Sequence, residues 1–131
     1  MIFGVGTDLV SQRRIAASLD RFGTRFMQRI LTDREQALLS SRPRNEPRRI
    51  RFLSQRFAAK EAFSKALGTG MKQGVAWRDV GVHNEASGKP VLHLSETMAA
   101  RIRALGIDGM HISLADEGDM TAAVVILERL A

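Results

Sequence analysis

The sequence predicts an α+β fold, an antiparallel sheet packed with one long helix and several shorter helices. Three observations carry that expectation. Apolar residues alternate with small or polar ones near both ends of the chain, as strands require. Residues 48–67 carry apolar side chains at helical spacing. The elements run strand, helices, strands, helix, hairpin, so the helices are grouped and do not alternate one for one with strands.

The first strand covers Met1 to Val10, where Phe3, Val5, Thr7 and Leu9 alternate with Ile2, Gly4, Gly6 and Asp8. The glycines thin one face of it, which predicts the close approach of another backbone or a ligand. Asp8 stands on that thin face near the strand's end. Ser11 caps a helix to about Arg21, with Ile15, Leu19 and Phe22 at helical spacing. A second helical stretch carries Phe26, Ile30 and Leu31. Thr32-Asp33-Arg34-Glu35 is a capping box that opens a third helix through Leu39. Two prolines and an asparagine make residues 42–47 a loop.

The long helix then runs from about Arg48 to Leu67. Phe52, Ala59, Ala62, Phe63, Ala66 and Leu67 form its core face, and Gly68 stops it. Strands follow at Trp77 to His83 and Val91 to Leu94, joined by the loop Asn84 to Pro90. Ser95 caps a helix through Leu105, closed by Gly106. Met110 to Ala115 and Met120 to Leu130 are two strands joined at residues 116–119.

At 131 residues with 44% hydrophobic and 26% charged residues, the chain is expected to form one domain over residues 1–131. The composition excludes a disordered or collagen-like chain. The longest apolar runs, such as Ala122 to Leu127, are far too short to span a bilayer. With no cysteine, neither disulfides nor thiolate chemistry can contribute. No signal peptide is legible, so the expected location is cytoplasmic. The charge is uneven. Twelve arginines and no lysine lie between Arg13 and Arg56, against Asp20, Asp33, Glu35 and Glu46. That stretch carries +8, so with a total of +6 the rest carries −2. A basic first half implies an anionic partner: nucleic acid, a phosphorylated ligand or an acidic protein.

On the long helix, Phe57, Glu61 and Lys65 are four residues apart and stack on one face. A surface Glu–Lys pair is worth only about 0.3 kcal/mol. The flank argues for more: small apolar residues opposite and a Gly-Thr-Gly turn directly after. Asp8 is the second carboxylate; ending a strand in a Gly-x-Gly-x-Asp context, it can be a turn former or a metal ligand. Asp8 and Glu61 together make a hard-oxygen site with few protein ligands, the pattern of Mg²⁺ when water and phosphate supply the rest. Lys65, one turn from Glu61, adds a cation for a pyrophosphate. Other signals are weaker. Gly4-Val5-Gly6 is only half of a dinucleotide fingerprint, and there is no phosphate-binding Gly-Lys-Ser/Thr loop. His83, His93 and His111 fall on strands without metal-ligand spacing.

These residues resemble a known family. Ile2-Phe3-Gly4-Val5-Gly6-Thr7-Asp8-Leu9-Val10 is similar to the opening motif of the holo-[acyl-carrier-protein] synthases, and Phe57-Ala58-Ala59-Lys60-Glu61-Ala62-Phe63-Ser64-Lys65-Ala66-Leu67-Gly68-Thr69-Gly70 to their second motif. Gly88-Lys89-Pro90 and the ending from His111 to Glu128 fit as well, so the resemblance covers essentially the whole chain. Leu9 stands where isoleucine is common, and Asp116 where the family often has histidine.

The resemblance implies the 4'-phosphopantetheinyl transferase fold and a Mg²⁺-dependent transfer of phosphopantetheine from coenzyme A to a serine of apo acyl carrier protein. Adenosine 3',5'-bisphosphate leaves, and fatty-acid biosynthesis is the expected setting. It makes Asp8, Glu61 and Lys65 the catalytic set, with Asp8 and Glu61 as metal ligands. Glu61, directly or through a bound water, is the expected base, and Asp8 can share that role. Coenzyme contacts map onto Arg56, Ser64, Lys65, Gly68, Gly88, Pro90 and His111. The carrier protein is acidic and docks on the family's first helix, where Arg14, Arg21 and Arg25 are placed. Larger relatives fuse two similar halves around the site. This chain matches one half, which implies a homotrimer with sites between subunits.

Two other readings compete. An arginine-rich nucleic-acid binder suits the charge, but aromatics are only 5%, tyrosine is absent, and Asp8, Glu61 and Lys65 would have no task. A non-catalytic coenzyme or nucleotide binder would be supported by loss of Glu61 or Lys65, and both are present. The expectation is therefore an enzyme with neither nucleic acid nor membrane as partner.

Overall fold

The computed structural model describes residues 1–130; Ala131, the last residue of the expected domain, lies outside them. The elements are β1 (Ile2–Ser11), α1 (Gln12–Phe22), α2 (Thr24–Ile30), α3 (Asp33–Ser40), α4 (Glu46–Leu67), β2 (Val80–Asn84), β3 (Pro90–Leu94), α5 (Glu96–Ala104), β4 (Gly109–Glu117) and β5 (Met120–Glu128). The α+β class holds, with α4 as its axis.

Antiparallel pairing is divided between two sheets where one was expected. One has the order β1-β5-β4, and β2 and β3 form the other. Leu92 and Leu94 of β3, Ile102 and Ile107, and Met110 of β4 line the cleft between β3 and β4, and no ladder joins those strands.

Local chemistry explains most boundaries. The Ser11 side chain accepts from the Arg14 amide at the start of α1, and the Thr32–Glu35 capping box is formed on both sides. α4 begins at Glu46, two residues earlier than expected. The Asn45 side chain accepts the Arg48 N–H at 3.0 Å, and Pro47 falls in the first turn, where its fixed φ and missing N–H are harmless. Gly68 ends the helix in the left-handed region at φ 92°. Residues 77–79 form a 3₁₀ turn instead of the start of a strand. The Asp79 carboxylate accepts the Ala76 N–H and the Ser95 hydroxyl, and the Trp77 ring stacks on Phe57 at 4.8 Å. Those contacts override the apolar alternation. β5 ends at Glu128, because the Arg129 N–H turns to the Met1 carbonyl and the Leu130 N–H to Asp108.

Every expected core residue of α4, from Phe52 to Leu67, is buried. Truncating the fully enclosed Phe63 to alanine would cost about 3–5 kcal/mol. Where Gly4 and Gly6 of β1 cross it, the helix presents Ala66 and Ala62. A Cβ on Gly4 would collide with the Ala66 carbonyl oxygen, and one on Gly6 with that of Ala62. The thin face of β1 therefore meets helix backbone, as the glycine pattern predicts. The other face of the three-stranded sheet is bare: Val5, Leu9 and Val124 are exposed on it.

Candidate active site

The close seating of β1 on α4 brings Asp8 to the helix. Lys65 Nζ donates to Asp8 Oδ1 at 3.1 Å and to the Thr7 carbonyl at 3.0 Å. Glu61, one turn earlier, is half-buried. Burial pushes its carboxyl above the ordinary carboxylate range, and the negative charge of Asp8 pushes it further, against the pull of Lys65. Asp8, Glu61 and Lys65 thus act on one another electrostatically. A hollow lined by Thr7, Asp8, Leu9, Lys65, Ala122 and Val124 opens beside them toward the bare sheet face.

Two carboxylates share one ammonium, so the cluster holds one negative charge in excess. That oxygen-rich donor set fits Mg²⁺, which binds through one or two carboxylates and fills its remaining positions from water and phosphate. Among the described residues no group of three or more His, Cys, Asp or Glu side chains is arranged for a metal.

The expected coenzyme residues fall in four places. Ser64 is buried, and its hydroxyl donates to the Glu61 carbonyl at 2.7 Å. Its own carbonyl accepts the N–H groups of Gly68, Thr69 and Gly70, which folds the Gly-Thr-Gly turn beside the cluster. Gly88, at φ 91°, and Pro90 sit at the β2–β3 turn, with Asn84 Nδ2 donating to the Gly88 carbonyl at 2.9 Å. His111 is on β4, its Nε2 2.7 Å from Glu128 Oε1. In the sheet register His111 lies opposite Ile126 and Asp8 opposite Ala123, so the two side chains emerge on opposite faces. One chain does not bring His111 to Asp8. Arg56 is 3% exposed and bonded to Val82 and Asn84 of β2. Asp116 accepts from Gln55 and Thr121 and ties α4 to the sheet.

Arg14 and Arg21 are exposed on α1, seven residues apart and therefore on one face. Arg25 is on α2, not on the first helix, because Gly23 at φ 61° ends α1 before it. Arg25 lines a groove of about 490 Å³ with Phe22, Phe26, Arg29, Phe57 and Trp77. The sequence reading passed over that groove; its signal is a half-exposed Phe22 in an arginine-rich stretch. A second basic hollow, also missed, lies at the start of α4 between Arg42, Arg44, Arg48 and Arg49. The run of arginines was its signal, and only the fold shows that they converge.

Comparison with known proteins agrees with this arrangement. The sequence model of the 4'-phosphopantetheinyl transferase superfamily matches residues 4–122. The holo-[acyl-carrier-protein] synthase of Xanthobacter autotrophicus is 48% identical over 131 residues, 97% of this chain and 94% of that one. The crystal structure of holo-[acyl-carrier-protein] synthase from Neisseria meningitidis superimposes with a TM-score of 0.92 at 37% identity, over 98% of this chain and all of that one. The Bacillus anthracis holo-(acyl-carrier-protein) synthase in complex with CoA (3',5'-ADP) matches at TM-score 0.80 and 36% identity, over 98% of each chain. The paired motifs, the fold built on α4 and these matches together place the chain in the 4'-phosphopantetheinyl transferase superfamily, to which it belongs as an enzyme.

Proposed function

We propose that this chain is a holo-[acyl-carrier-protein] synthase, acting in the cytoplasm as a single domain and serving fatty-acid biosynthesis. It would move the phosphopantetheine arm of coenzyme A to a serine of apo acyl carrier protein and release adenosine 3',5'-bisphosphate. The observation that carries this reading is the meeting of β1 and α4, where Lys65 donates to Asp8 one turn of helix from Glu61.

The reaction forms a bond from the serine oxygen to phosphorus and breaks the bond from phosphorus to the bisphosphate oxygen. Glu61 receives the serine proton; a carboxyl with raised proton affinity suits that task better than an ordinary one. Lys65 places its positive charge where the pyrophosphate oxygens gain charge. Mg²⁺, held by Asp8 and Glu61, supplies further positive charge to the pyrophosphate when bound. The turn shaped by Ser64 and Gly68 borders the pyrophosphate, while Gly88, Pro90 and His111 receive the rest of the coenzyme. Because His111 and Asp8 face opposite ways, we place His111 in the site of a neighbouring copy. The bare apolar sheet face beside Asp8 supports that assembly, a homotrimer, as its buried contact.

Arg14, Arg21 and Arg25 dock the acidic carrier protein, and the Phe22–Trp77 groove beside them accepts its apolar side chains. Long-range attraction of this kind speeds encounter and weakens with salt.

Intact mass of an apo acyl carrier protein, after incubation with this protein, coenzyme A and Mg²⁺, tests the reading. The expected result is a gain of one phosphopantetheine with Mg²⁺ and none in EDTA. No gain across several carrier proteins would overturn it.

A further inference from the structure

Val82, in the middle of β2, has lost the neighbour that a central strand would have. Its side opposite β3 carries no strand. Yet both its main-chain polar groups are met there by side chains. Its N–H donates to Glu35 Oε2 at 2.9 Å, and its carbonyl accepts from Arg56 Nη2 at 3.4 Å. A carboxylate and a guanidinium stand in for the missing strand.

The two stand-ins are themselves anchored. Glu35 is fully buried, and its Oε1 accepts the Thr32 N–H at 2.9 Å and Lys60 Nζ at 2.6 Å. Arg56 lies with its guanidinium carbon 3.9 Å above the Phe52 ring and its Nε 3.8 Å from Glu35 Oε2. That Nε makes no hydrogen bond; Nη1 donates to Gln55 Oε1 at 3.2 Å, and Nη2 is the nitrogen aimed at the strand. From Nη2 the bonding continues toward the turn. Arg56 Nη2 donates to Asn84 Oδ1 at 3.2 Å, and Asn84 Nδ2 donates to the Gly88 carbonyl at 2.9 Å. The turn ahead closes on itself through Glu85 N–H to the Lys89 carbonyl and Gly88 N–H to the Glu85 carbonyl.

We propose that Glu35, Arg56 and Asn84 form a positioning relay that holds the Gly88–Pro90 turn where coenzyme A meets it, and that Arg56 acts through Asn84 without touching the coenzyme. The proposal rests on the reading of the Gly88–Pro90 turn as a coenzyme contact. Its physical content is order: with the relay intact the turn is set before the coenzyme arrives, so binding does not have to freeze it. Asn84 is exposed and carries none of the core. It is the link that can be removed without endangering the fold. Arg56 and Glu35 are buried and need conservative changes.

The test is a double-variant cycle on coenzyme binding. Asn84→Ala should raise the KM for coenzyme A about tenfold, the size expected when one or two ordering hydrogen bonds are lost. The KM for carrier protein and the Tm should stay near wild type. Arg56→Lys keeps the cation but not the fork. Alone it should weaken binding of adenosine 3',5'-bisphosphate by calorimetry to a similar extent. In the Asn84→Ala background it should cost nothing more, because the path is already cut. Independent, multiplying losses would mean that Arg56 touches the ligand itself and would overturn the relay. So would an unchanged coenzyme KM in Asn84→Ala. A wild-type protein that binds neither coenzyme A nor the bisphosphate would instead overturn the parent reading of the turn.

Discussion

Lys60 and Glu61 are neighbours in sequence, yet they serve clusters of opposite character on α4. Lys60 belongs with Glu35 and Arg56, a closed set in which every member is buried. Lys60 Nζ has three acceptors, Glu35 and the carbonyls of Ile30 and Trp77. Two cations share one carboxylate there. Burial lowers the proton affinity of both Lys60 and Arg56, and the charge of Glu35 opposes that, with Arg56 drawn down to about 10 and so still cationic at neutral pH. Glu61 belongs with Asp8 and Lys65, a half-open set in which two carboxylates share one cation. The closed cluster has its partners inside the chain. The open one lacks a positive charge and has a hollow beside it. Closed charge holds a fold together; unbalanced, accessible charge awaits a ligand.

The most damaging way to break that contrast is Lys60→Met. It leaves the Glu35 carboxylate buried without its closest cation, a loss of about 3–5 kcal/mol. Denaturant unfolding should show most of the stability gone, with activity lost along with the fold. Glu61→Gln should do the reverse. Turnover in the mass assay should fall about 10³-fold. In Mg²⁺-free buffer Tm should rise at neutral pH, because the fold raises the carboxyl's proton affinity and so disfavours the ionised form. The sign follows: this penalty is present above the raised value and disappears as pH falls through it toward the unfolded value. The Tm gap between the two proteins should therefore close on acidification, and a gap that widens would contradict the origin given for the shift. On the metal-free protein, the smallest effect is expected for Lys65→Met. Without the one cation in the open cluster, the Glu61 carboxyl should titrate higher still, read by NMR on metal-free protein. No upward movement would mean that Lys65 does not act on Glu61.

The open cluster was legible in the sequence because its signals are local. Glycines at alternate positions mark the thin face that carries Asp8, and the four-residue spacing stacks Glu61 and Lys65. The closed cluster was not. Glu35 reads as the second half of a capping box, and it is one; nothing nearby shows that the same carboxylate receives Lys60, 25 positions later. Arg56 was expected at the coenzyme from its motif, and a motif carries no sign that the side chain lies buried against Glu35 and β2. The hairpin β4–β5 and the long helix follow from pattern. The division into two sheets, the 3₁₀ turn at Trp77 and the opposite facing of His111 and Asp8 depend on contacts between distant segments. Periodicity holds no record of those.

The contact of β1 with α4 has a consequence for how this strand can vary. Its useful property is a set of missing atoms. Gly4 and Gly6 act as a spacer gauge: because nothing stands between strand and helix, the short side chain of Asp8 reaches Lys65. A single methyl at either position would lift the strand and open the gap between the two charges. On the same strand, Val5 and Leu9 project away from the helix and are more than half exposed. Variation along β1 is therefore governed like the teeth of a comb, each alternate residue answering either to the distance between two charges or to whatever lies across the open sheet.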